Sequence, residues 1–310
     1  MPVVIHRDLP AGKILKSEGV FVIDDRRAKT QDIRPLRLGI LNLMPTKITT
    51  ETQLLRLISN TPLQVEIQLI RPVSHESKNT SREHLEKFYR NFDEIRNQSF
   101  DAFIITGAPV ERLNFEDVDY WEELGEVFDF VRKNSYSTLF ICWAVQAALY
   151  YYYGIEKRDY PEKLCGVFPT KTLQSTLLTK GFDDEFYLPH SRYTFSDVKQ
   201  IQQAKDLEIL CASEVTGPSV FQSKDERFLF LTGHGEYDPD TLKKEYERDL
   251  IKGLEPKIPS NYFEKDNPKG PIINRWMAHS NLLFSNWLNY LVYQKTPYDL
   301  RQLTEKKISN

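Results

Sequence analysis

The amino-acid sequence predicts an α/β fold, in which an open, mostly parallel sheet carries helices on both faces. Three observations lead to this class. Several short segments are almost continuously apolar, which is typical of parallel strands that are buried on both faces. Amphipathic helical segments alternate with these strands, as crossover connections between parallel strands require. The chain has 310 residues, of which 40% are hydrophobic, so it can bury a sizeable core.

The first predicted strand covers residues 36–44, an apolar run that Pro45 ends. Further strands are predicted at residues 65–69, 100–106, 138–141, 206–212 and 227–231. Residues 160–200 contain only shorter strand-like pieces and turns, because prolines and glycines interrupt them.

The predicted helices have recognisable starts. Thr50-x-x-Gln53 and Thr80-x-x-Glu83 are capping boxes, and the second of these helices is predicted to run to about residue 95. Asp238-Pro239 predicts another start, with aspartate as the cap and proline in the first helical position. That helix ends near residue 252, and the remaining helices are predicted at residues 117–133, 143–153 and 277–293.

The domain organisation predicted for the chain is simple. Residues 1–35 mix charges with proline and glycine, and only residues 20–23 are strand-like. We interpret this segment as an arm that lies on the core or on a partner subunit. Because no linker divides the rest of the chain, we predict one α/β catalytic domain at residues 36–300 and a tail at residues 301–310.

Composition excludes several classes of function. A net charge of −3 gives no electrostatic case for binding nucleic acid or an anionic membrane. Cys142, Cys165 and Cys211 show no CxxC or Cys/His spacing, so neither a disulfide framework nor a metal site is predicted. The first residues lack the layout of a secretory signal, and no apolar run approaches the ~20 residues of a spanning helix. We therefore expect a soluble, cytoplasmic protein.

The segment around Cys142 is the first candidate for chemistry. An apolar strand at residues 138–141 is followed directly by an Ala-rich helix, and no glycine, proline or asparagine separates them. The chain must therefore turn sharply at Cys142 and aim the helix amino terminus at its side chain, which favours the reactive thiolate. A buried structural cysteine is the alternative, and the local sequence does not decide between the two.

Other polar segments also follow predicted strands. Lys47 follows the first strand, Gly107 to Glu111 follow the third, and His234 and Glu236 follow the last. Ligands of open α/β sheets bind at the carboxyl ends of strands, so these segments are expected to meet near Cys142. That convergence favours Cys142 as a nucleophile.

His234 and Glu236 are two residues apart, so alternation places both side chains on the same side of the chain. Glu236 can then hold one ring nitrogen while the other faces Cys142, giving a Cys–His–Glu triad. The residue order and the His-x-Glu spacing resemble class I glutamine amidotransferases, and so does the predicted flavodoxin-like fold with its strand–cysteine–helix elbow. The backbone N–H groups of Gly107 and Trp143 are candidates for stabilising an oxyanion.

Other candidates have weak signals in the residues alone. Lys47 is either a solvated loop lysine or a contact for an anionic group. Lys163 carries no signal of its own, and Ser191 lies in a segment that reads as a polar loop. Arg248 is off the apolar stripe of its helix, where a surface ion pair with Glu245 or Asp249 is the default.

Six motifs together make the sequence similar to the homoserine O-acyltransferases of methionine biosynthesis, in the branch related to homoserine O-succinyltransferase. The resemblance extends from the arm to about residue 301. The motifs are Ile40-Leu-Asn-Leu-Met-Pro-x-Lys47, Thr106-Gly-Ala-Pro109, Phe140-Ile-Cys-Trp-Ala-Val-Gln-Ala-Ala148, Pro189-His-Ser-Arg-Tyr193, Thr232-Gly-His-x-Glu-Tyr237 and Asn286-Trp-Leu-Asn-Tyr290.

The resemblance implies a ping-pong reaction without a resident cofactor. Cys142 would take the acyl group from an acyl-CoA as a thioester, and His234, oriented by Glu236, would activate the hydroxyl of L-homoserine. It also implies that the substrate contacts are Lys163, Ser191 and Arg248, that Lys47 lies in the site, and that the protein is a homodimer.

In this family, position 111 largely selects the acyl donor, since glycine goes with succinyl-CoA and glutamate with acetyl-CoA. The chain has Glu111. A carboxylate there would fill space and repel the free carboxylate of a succinyl group, so acetyl-CoA is the expected co-substrate. The alternatives are a succinyltransferase and, more distantly, a glutamine amidotransferase-like thiol hydrolase. A binding module that has kept the fold is the non-catalytic alternative.

Overall fold

The computed structural model describes residues 3–6, 8–18, 22–24, 34–75, 79–300 and 302–305. Within these residues, twelve strands form one mixed sheet. The strands are β1 Val3–Ile5, β2 Val22–Asp24, β3 Leu36–Leu41, β4 Val65–Arg71, β5 Tyr89–Asn91, β6 Phe100–Ile105, β7 Ser135–Ile141, β8 Lys157–Thr172, β9 Glu185–Ser196, β10 Leu207–Ser213, β11 Gly217–Ser223 and β12 Phe228–Leu231.

The strand order is β2-β1-β4-β3-β6-β7-β12-β11-β10-β8-β9, and β5 pairs with β4. Every pairing from β2 to β12 is parallel, whereas β11, β10, β8 and β9 pair antiparallel. The mostly parallel α/β class is thus confirmed, and an antiparallel extension is added to it. This extension carries part of the candidate site.

Nine α-helices occur in the described part of the chain. They are α1 Pro10–Ser17, α2 Lys47–Ile58, α3 Arg82–Phe88, α4 Trp121–Asn134, α5 Trp143–Tyr153, α6 Val198–Gln203, α7 Thr241–Ile251, α8 Met277–Asn286 and α9 Gln302–Glu305. A π-helical segment, Trp287–Tyr293, continues α8. None of these helices is long and apolar enough to cross a bilayer.

The helices cover both faces of the sheet, as the sequence predicts. On one face, α1, α2 and α8 bury side chains such as Leu15, Leu54 and Phe284. On the other face, α4 and α5 bury side chains such as Phe128 and Ala147. The strands between them are therefore buried on both sides, which explains their continuous apolar runs.

Two predicted helix starts are wrong. α2 begins at Lys47, before the predicted cap Thr50, and the Thr50 hydroxyl instead donates to the Thr46 carbonyl at 3.3 Å. α7 begins at Thr241 rather than Asp238, and the Asp238 carboxylate accepts from Arg56 at 2.6 Å. In both places the polar side chain makes a hydrogen bond other than the predicted capping bond.

The helix predicted for residues 80–95 is also wrong in its extent. Ser81 caps α3, accepting from the His84 N–H at 3.3 Å, and the helix ends at Phe88. Tyr89 then enters strand β5, and a 3-10 turn, Phe92–Ile95, follows. The short strand β5 pairs with β4. This pairing with the sheet ends the helix at Phe88, although the sequence pattern continues to favour a helix.

Residues 160–200 contain the largest difference from the prediction. β8 and β9 are long strands that pair antiparallel, and Pro189 lies within β9 rather than in a polar loop. Strand β11 is not among the predicted strands. The register of β8 against β9 shifts between Asp159 and Leu164, which bulges the stretch that contains Lys163.

The described part of the arm joins the sheet. β1 pairs with β4 and with β2, and α1 buries Ala11 and Leu15. The predicted strand at residues 20–23 overlaps β2, and its residues 20 and 21 lie outside the described residues. The division of the chain at residues 35 and 300 stays a prediction.

Candidate active site

Cys142 lies in the sharp turn between β7 and α5. Its backbone has φ 53° and ψ −113°, a strained conformation for a residue other than glycine. The Cys142 N–H donates to the Leu231 carbonyl at the end of β12, at 2.8 Å. This bond and the start of α5 hold the turn, so the thiol lies at the helix amino terminus, where a negative charge is favoured.

His234 and Glu236 follow β12, the strand beside β7. The His234 Nδ1 and Glu236 Oε1 are 2.6 Å apart, and both side chains are buried. The His234 N–H also donates to the Pro189 carbonyl in β9 at 2.8 Å. With Nδ1 bound to the carboxylate, Nε2 is the ring nitrogen left for the hydrogen bond to Cys142.

The charges around His234 favour its protonated form. Burial lowers the pKa of His234, but Cys142 and Glu236 beside it outweigh burial and raise that pKa well above its ordinary value. The ring of Tyr237 stacks on His234 with centroids 4.1 Å apart. A protonated imidazole beside the thiol is the partner that a cysteine nucleophile requires.

Gly107 and Trp143 border the thiol. A Cβ atom on Gly107 would lie 3.3 Å from the Cys142 Cβ and 3.7 Å from the His234 Cε1, so a side chain there would crowd both residues. Trp143 is the first residue of α5, and the N–H of a first helical residue has no partner inside its helix. Both residues thus lie beside the thiol, and their role in stabilising an oxyanion stays a prediction.

Glu111 points into the protein rather than towards solvent. Its Oε2 accepts from the Tyr193 N–H at 2.9 Å and lies 3.4 Å from the Thr194 hydroxyl oxygen. Burial raises the pKa of Glu111, although the hydrogen bonds from Tyr193 and Thr194 counteract this effect. Gln146 of α5 holds Thr194 in turn, accepting from its hydroxyl at 2.8 Å and donating to its carbonyl at 3.1 Å.

Lys163, Ser191 and Arg248 meet at one place, between the β8–β9 pair and α7. Lys163 Nζ lies 3.4 Å from both Glu245 Oε2 and Asp249 Oδ2. The Ser191 hydroxyl donates to Glu245 Oε2 at 2.5 Å. The Arg248 guanidinium is half-exposed and donates to Asp249 at 2.8 Å, one of the two default pairs expected for it.

Lys47 belongs to a separate buried cluster at the end of β3. Its ammonium group donates to the Asn42 carbonyl and lies 5.6 Å from the centre of the Tyr89 ring. Burial lowers the pKa of Lys47 to about 8, although Glu51 nearby opposes that shift. Lys47 is therefore not the solvated loop lysine that its sequence context favoured, and its role in the site stays a prediction.

Sequence reasoning missed two groups of residues in this region. Glu245 joins Ser191 and Lys163, and the Tyr237 hydroxyl donates to Glu245 Oε1 at 3.3 Å. Gln146 supports the surroundings of Glu111. In the sequence alone, both Glu245 and Gln146 resemble surface residues of their helices. The only signals that could have found them are that Glu245 is close to Arg248 and Gln146 is close to Cys142 along the chain.

The fold and the cysteine elbow place the molecule with a known structural class. A glutamine amidotransferase from Thermotoga maritima superposes with a TM-score of 0.56, covering 84% of this chain and 100% of that one, at 12% identity. One from Methylobacillus flagellatus gives a TM-score of 0.51 over 86% of this chain and 99% of that one, also at 12% identity. At such low identity the likeness concerns the fold alone.

Sequence comparison identifies the family. The profile of the homoserine O-succinyltransferase family matches residues 2–298, and this chain belongs to that family. A homoserine O-acetyltransferase of Acetivibrio thermocellus is 55% identical over 98% of this chain and 100% of its own length. Another, of Brevibacillus brevis, is 56% identical over 97% of this chain and 98% of its own length.

Proposed function

We propose that the protein transfers an acetyl group from acetyl-CoA to the hydroxyl of L-homoserine, in methionine biosynthesis, through a thioester on Cys142. The observation that carries this proposal is that Cys142, in a strained elbow, lies beside the buried pair of His234 and Glu236. The names of relatives that are more than half identical over nearly the full chain support the acyl donor and acceptor.

In the first half-reaction, the Cys142 thiolate attacks the thioester carbonyl of acetyl-CoA. The N–H groups of Trp143 and Gly107 stabilise the negative oxygen of the tetrahedral intermediate. The bond between the acetyl carbon and the CoA sulfur then breaks. The imidazolium of His234 gives its proton to that sulfur, so that CoA leaves as a thiol.

In the second half-reaction, the state of His234 is reversed. Acylation removes the negative charge on Cys142, which is one cause of the raised pKa of His234, so that pKa falls in the acyl-enzyme. The neutral imidazole takes the proton of the homoserine hydroxyl, whose oxygen attacks the Cys142 thioester. Cleavage of that thioester releases O-acetyl-L-homoserine and regenerates the thiolate–imidazolium pair.

Glu111 supports acetyl-CoA as the donor. Its carboxyl group is turned inward and held by the Tyr193 N–H, so it occupies the space beside β9 instead of leaving it open. A succinyl group would bring a second carboxylate towards this one, in surroundings where like charges repel more strongly than in water. A succinyltransferase is the alternative that this charge disfavours.

Three further features belong to the same proposal. The reaction needs no resident cofactor, because Cys142 itself carries the acetyl group. The enzyme works in the cytoplasm, where both substrates of a biosynthetic acyl transfer occur. It forms a homodimer, as the family resemblance implies.

Intact-mass measurement tests the proposal directly. After mixing with acetyl-CoA, the protein should gain the mass of one acetyl group, and L-homoserine should remove it. Cys142→Ala should fold and gain no mass, since only a small thiol is lost. Transfer activity retained by that variant would exclude the thioester.

The same measurement with succinyl-CoA tests the choice of donor. We expect much slower labelling with succinyl-CoA than with acetyl-CoA, and a clear preference for succinyl-CoA would overturn the acetyl assignment. Ammonia release from glutamine, measured in a coupled assay, serves as the control for amidotransferase activity. We expect none above background.

A further inference from the structure

Lys157 lies at the start of β8, and its ammonium group reaches the loop that follows β6. It donates to the carbonyl oxygen of Glu111 at 2.7 Å and also to that of Leu113. The same ammonium group lies 4.7 Å from the centre of the Phe115 ring. Surface lysines usually keep their charge in water, whereas this one gives two of its three N–H donors to a single loop. Lys157 therefore ties β8 to residues 111–115.

The two bonds of Lys157 offset the cost of drawing its charge out of water. Burial lowers the pKa of Lys157, although the nearby carboxylates of Asp159, Glu111 and Glu116 counteract this effect. The half-buried side chain also loses rotamer freedom when it is held in one place. Hydrogen bonds from a charged donor are roughly twice as strong as those between neutral groups. Two such bonds to neighbouring carbonyls therefore restrain the loop firmly.

Glu111 is held at both ends by two paired strands. β8 binds its backbone through Lys157, and β9 binds its carboxyl group through the Tyr193 N–H at 2.9 Å. Lys157 is paired with Ser196 in the register of these strands, so both anchors belong to one piece of sheet. A glutamate side chain has three rotatable torsions, so one anchor alone would leave either its backbone or its carboxyl group free to move. With both anchors present, the carboxylate is fixed beside β9.

We propose that Lys157 is a positioning residue for donor selection, because it fixes the loop that holds the Glu111 carboxylate beside β9. This inference rests on the proposed function, in which that carboxylate repels the free carboxylate of a succinyl group. The repulsion between two like charges falls as their separation grows, so a loop that shifts outward would weaken it. Lys157 thus acts through Glu111 and not on the donor itself.

A direct contact between Lys157 and the donor would have the opposite effect on selectivity. A lysine that met the donor would attract the second carboxylate of a succinyl group. Its removal would slow acylation by succinyl-CoA and would raise the ratio of the acetyl-CoA rate to the succinyl-CoA rate. A positioning role predicts that this ratio falls, because Glu111 is no longer held where it repels a succinyl group.

The test measures the rate of Cys142 acylation by intact mass, without homoserine, for acetyl-CoA and succinyl-CoA separately. For Lys157→Met we expect the ratio of the two rates to fall about threefold to thirtyfold, as for the loss of a partly exposed charged hydrogen bond. Lys157→Arg keeps a charged donor and should retain more of the ratio. If Lys157→Met does not fold, Lys157→Gln replaces it and should lower the ratio in the same direction.

A double-mutant cycle shows whether Lys157 acts through Glu111. Glu111→Ala should lower the ratio by itself, since the repelling carboxylate is gone. In that background, Lys157→Met should change the ratio by less than about twofold, because no carboxylate is left to position. If Lys157→Met lowers the ratio by the same factor with and without Glu111, the inference is wrong.

Lys171→Met is the matched control. Lys171 lies at the other end of β8, where 58% of its side chain is exposed and its ammonium group is 2.9 Å from Glu214. This variant should keep the wild-type ratio. Thermal melting followed by circular dichroism reports whether each variant is folded.

The outcomes separate two kinds of failure. An unchanged or raised ratio in folded Lys157→Met would overturn this inference and leave the proposed function standing. A wild type that acetyl-CoA never acetylates would overturn the proposed function, and this inference with it.

Discussion

Lys47 illustrates, at the scale of one residue, a buried charge that opposes folding. Its folded pKa of about 8 lies below the 10.5 of an unfolded lysine. Below pH 8 the ammonium is charged in both states, and its burial costs about 3 kcal/mol at most, at about 1.4 kcal/mol per pH unit. Between pH 8 and 10.5 the unfolded state binds more protons, so the free energy of unfolding rises with pH.

We therefore expect Lys47→Met to raise the free energy of unfolding at pH 7 by roughly 1–3 kcal/mol. The bond to the Asn42 carbonyl is lost, which reduces the gain. The difference between variant and wild type should shrink when urea unfolding is repeated near pH 9.5. If the stability difference between variant and wild type instead grows with pH, the burial of a charged Lys47 does not destabilise the folded state. A simultaneous loss of acetylation rate would support a role for Lys47 in the site.

The triad was predictable because each member has a local signal. Cys142 stands where an apolar strand meets a helix without a loop, and His234 and Glu236 follow another apolar strand. Glu245 has no such signal. Its neighbours Ser191 and Lys163 are 54 and 82 residues away in the chain, so only tertiary structure reveals that their groups converge.

At the scale of elements, the start of α5 supports the surroundings of Glu111 as well as the nucleophile. Gln146 is one turn beyond Cys142 and clamps Thr194 of β9 by two hydrogen bonds. Its replacement by alanine removes both hydrogen bonds to Thr194, which should cost about 1–3 kcal/mol of unfolding free energy. Because Thr194 adjoins Glu111, we also expect the acetyl-CoA to succinyl-CoA rate ratio to fall about threefold to tenfold.

Gln222→Ala is a matched control for that experiment. Gln222 is also buried, but it lies on β11 and donates to Glu208 at 3.0 Å. This variant should lose stability without any change in the ratio of the two donors. If Gln146→Ala and Gln222→Ala give the same ratio, Gln146 does not position the donor-selecting region.

The parallel half of the sheet was predictable from sequence, and the antiparallel extension was not. Parallel strands buried on both faces give continuous apolar runs, such as β12 and the end of β7. β8 and β9 mix exposed and buried residues and contain prolines, Pro169 and Pro189 among them. Those features are typical of loops, and the pairing that overrides them joins residues that are 14 to 39 positions apart.

At the scale of the whole molecule, the described part of the arm is packed as part of the core. Leu15 of α1 is fully buried, whereas its neighbour Ile14 is 41% exposed. We expect Leu15→Ala to lower the free energy of unfolding by about 2–5 kcal/mol, the usual cost of removing a buried leucine side chain. Urea unfolding followed by tryptophan fluorescence measures this loss.

Ile14→Ala is the control for the arm, and it should change stability by less than about 1 kcal/mol. A single transition in both variants would mean that the arm unfolds together with the sheet. If Leu15→Ala and Ile14→Ala are equally mild, the arm does not contribute to the core in solution, and contact with a partner subunit becomes the better interpretation of it.

Strand β9 serves three parts of the candidate site from six consecutive positions. The Pro189 carbonyl holds the backbone of His234, Ser191 faces Glu245, and Tyr193 and Thr194 surround Glu111. Since alternate residues of a strand face opposite sides, one inserted or deleted residue would reverse every later contact. A point substitution in this stretch therefore alters single contacts, whereas a change in its length alters all the contacts that follow.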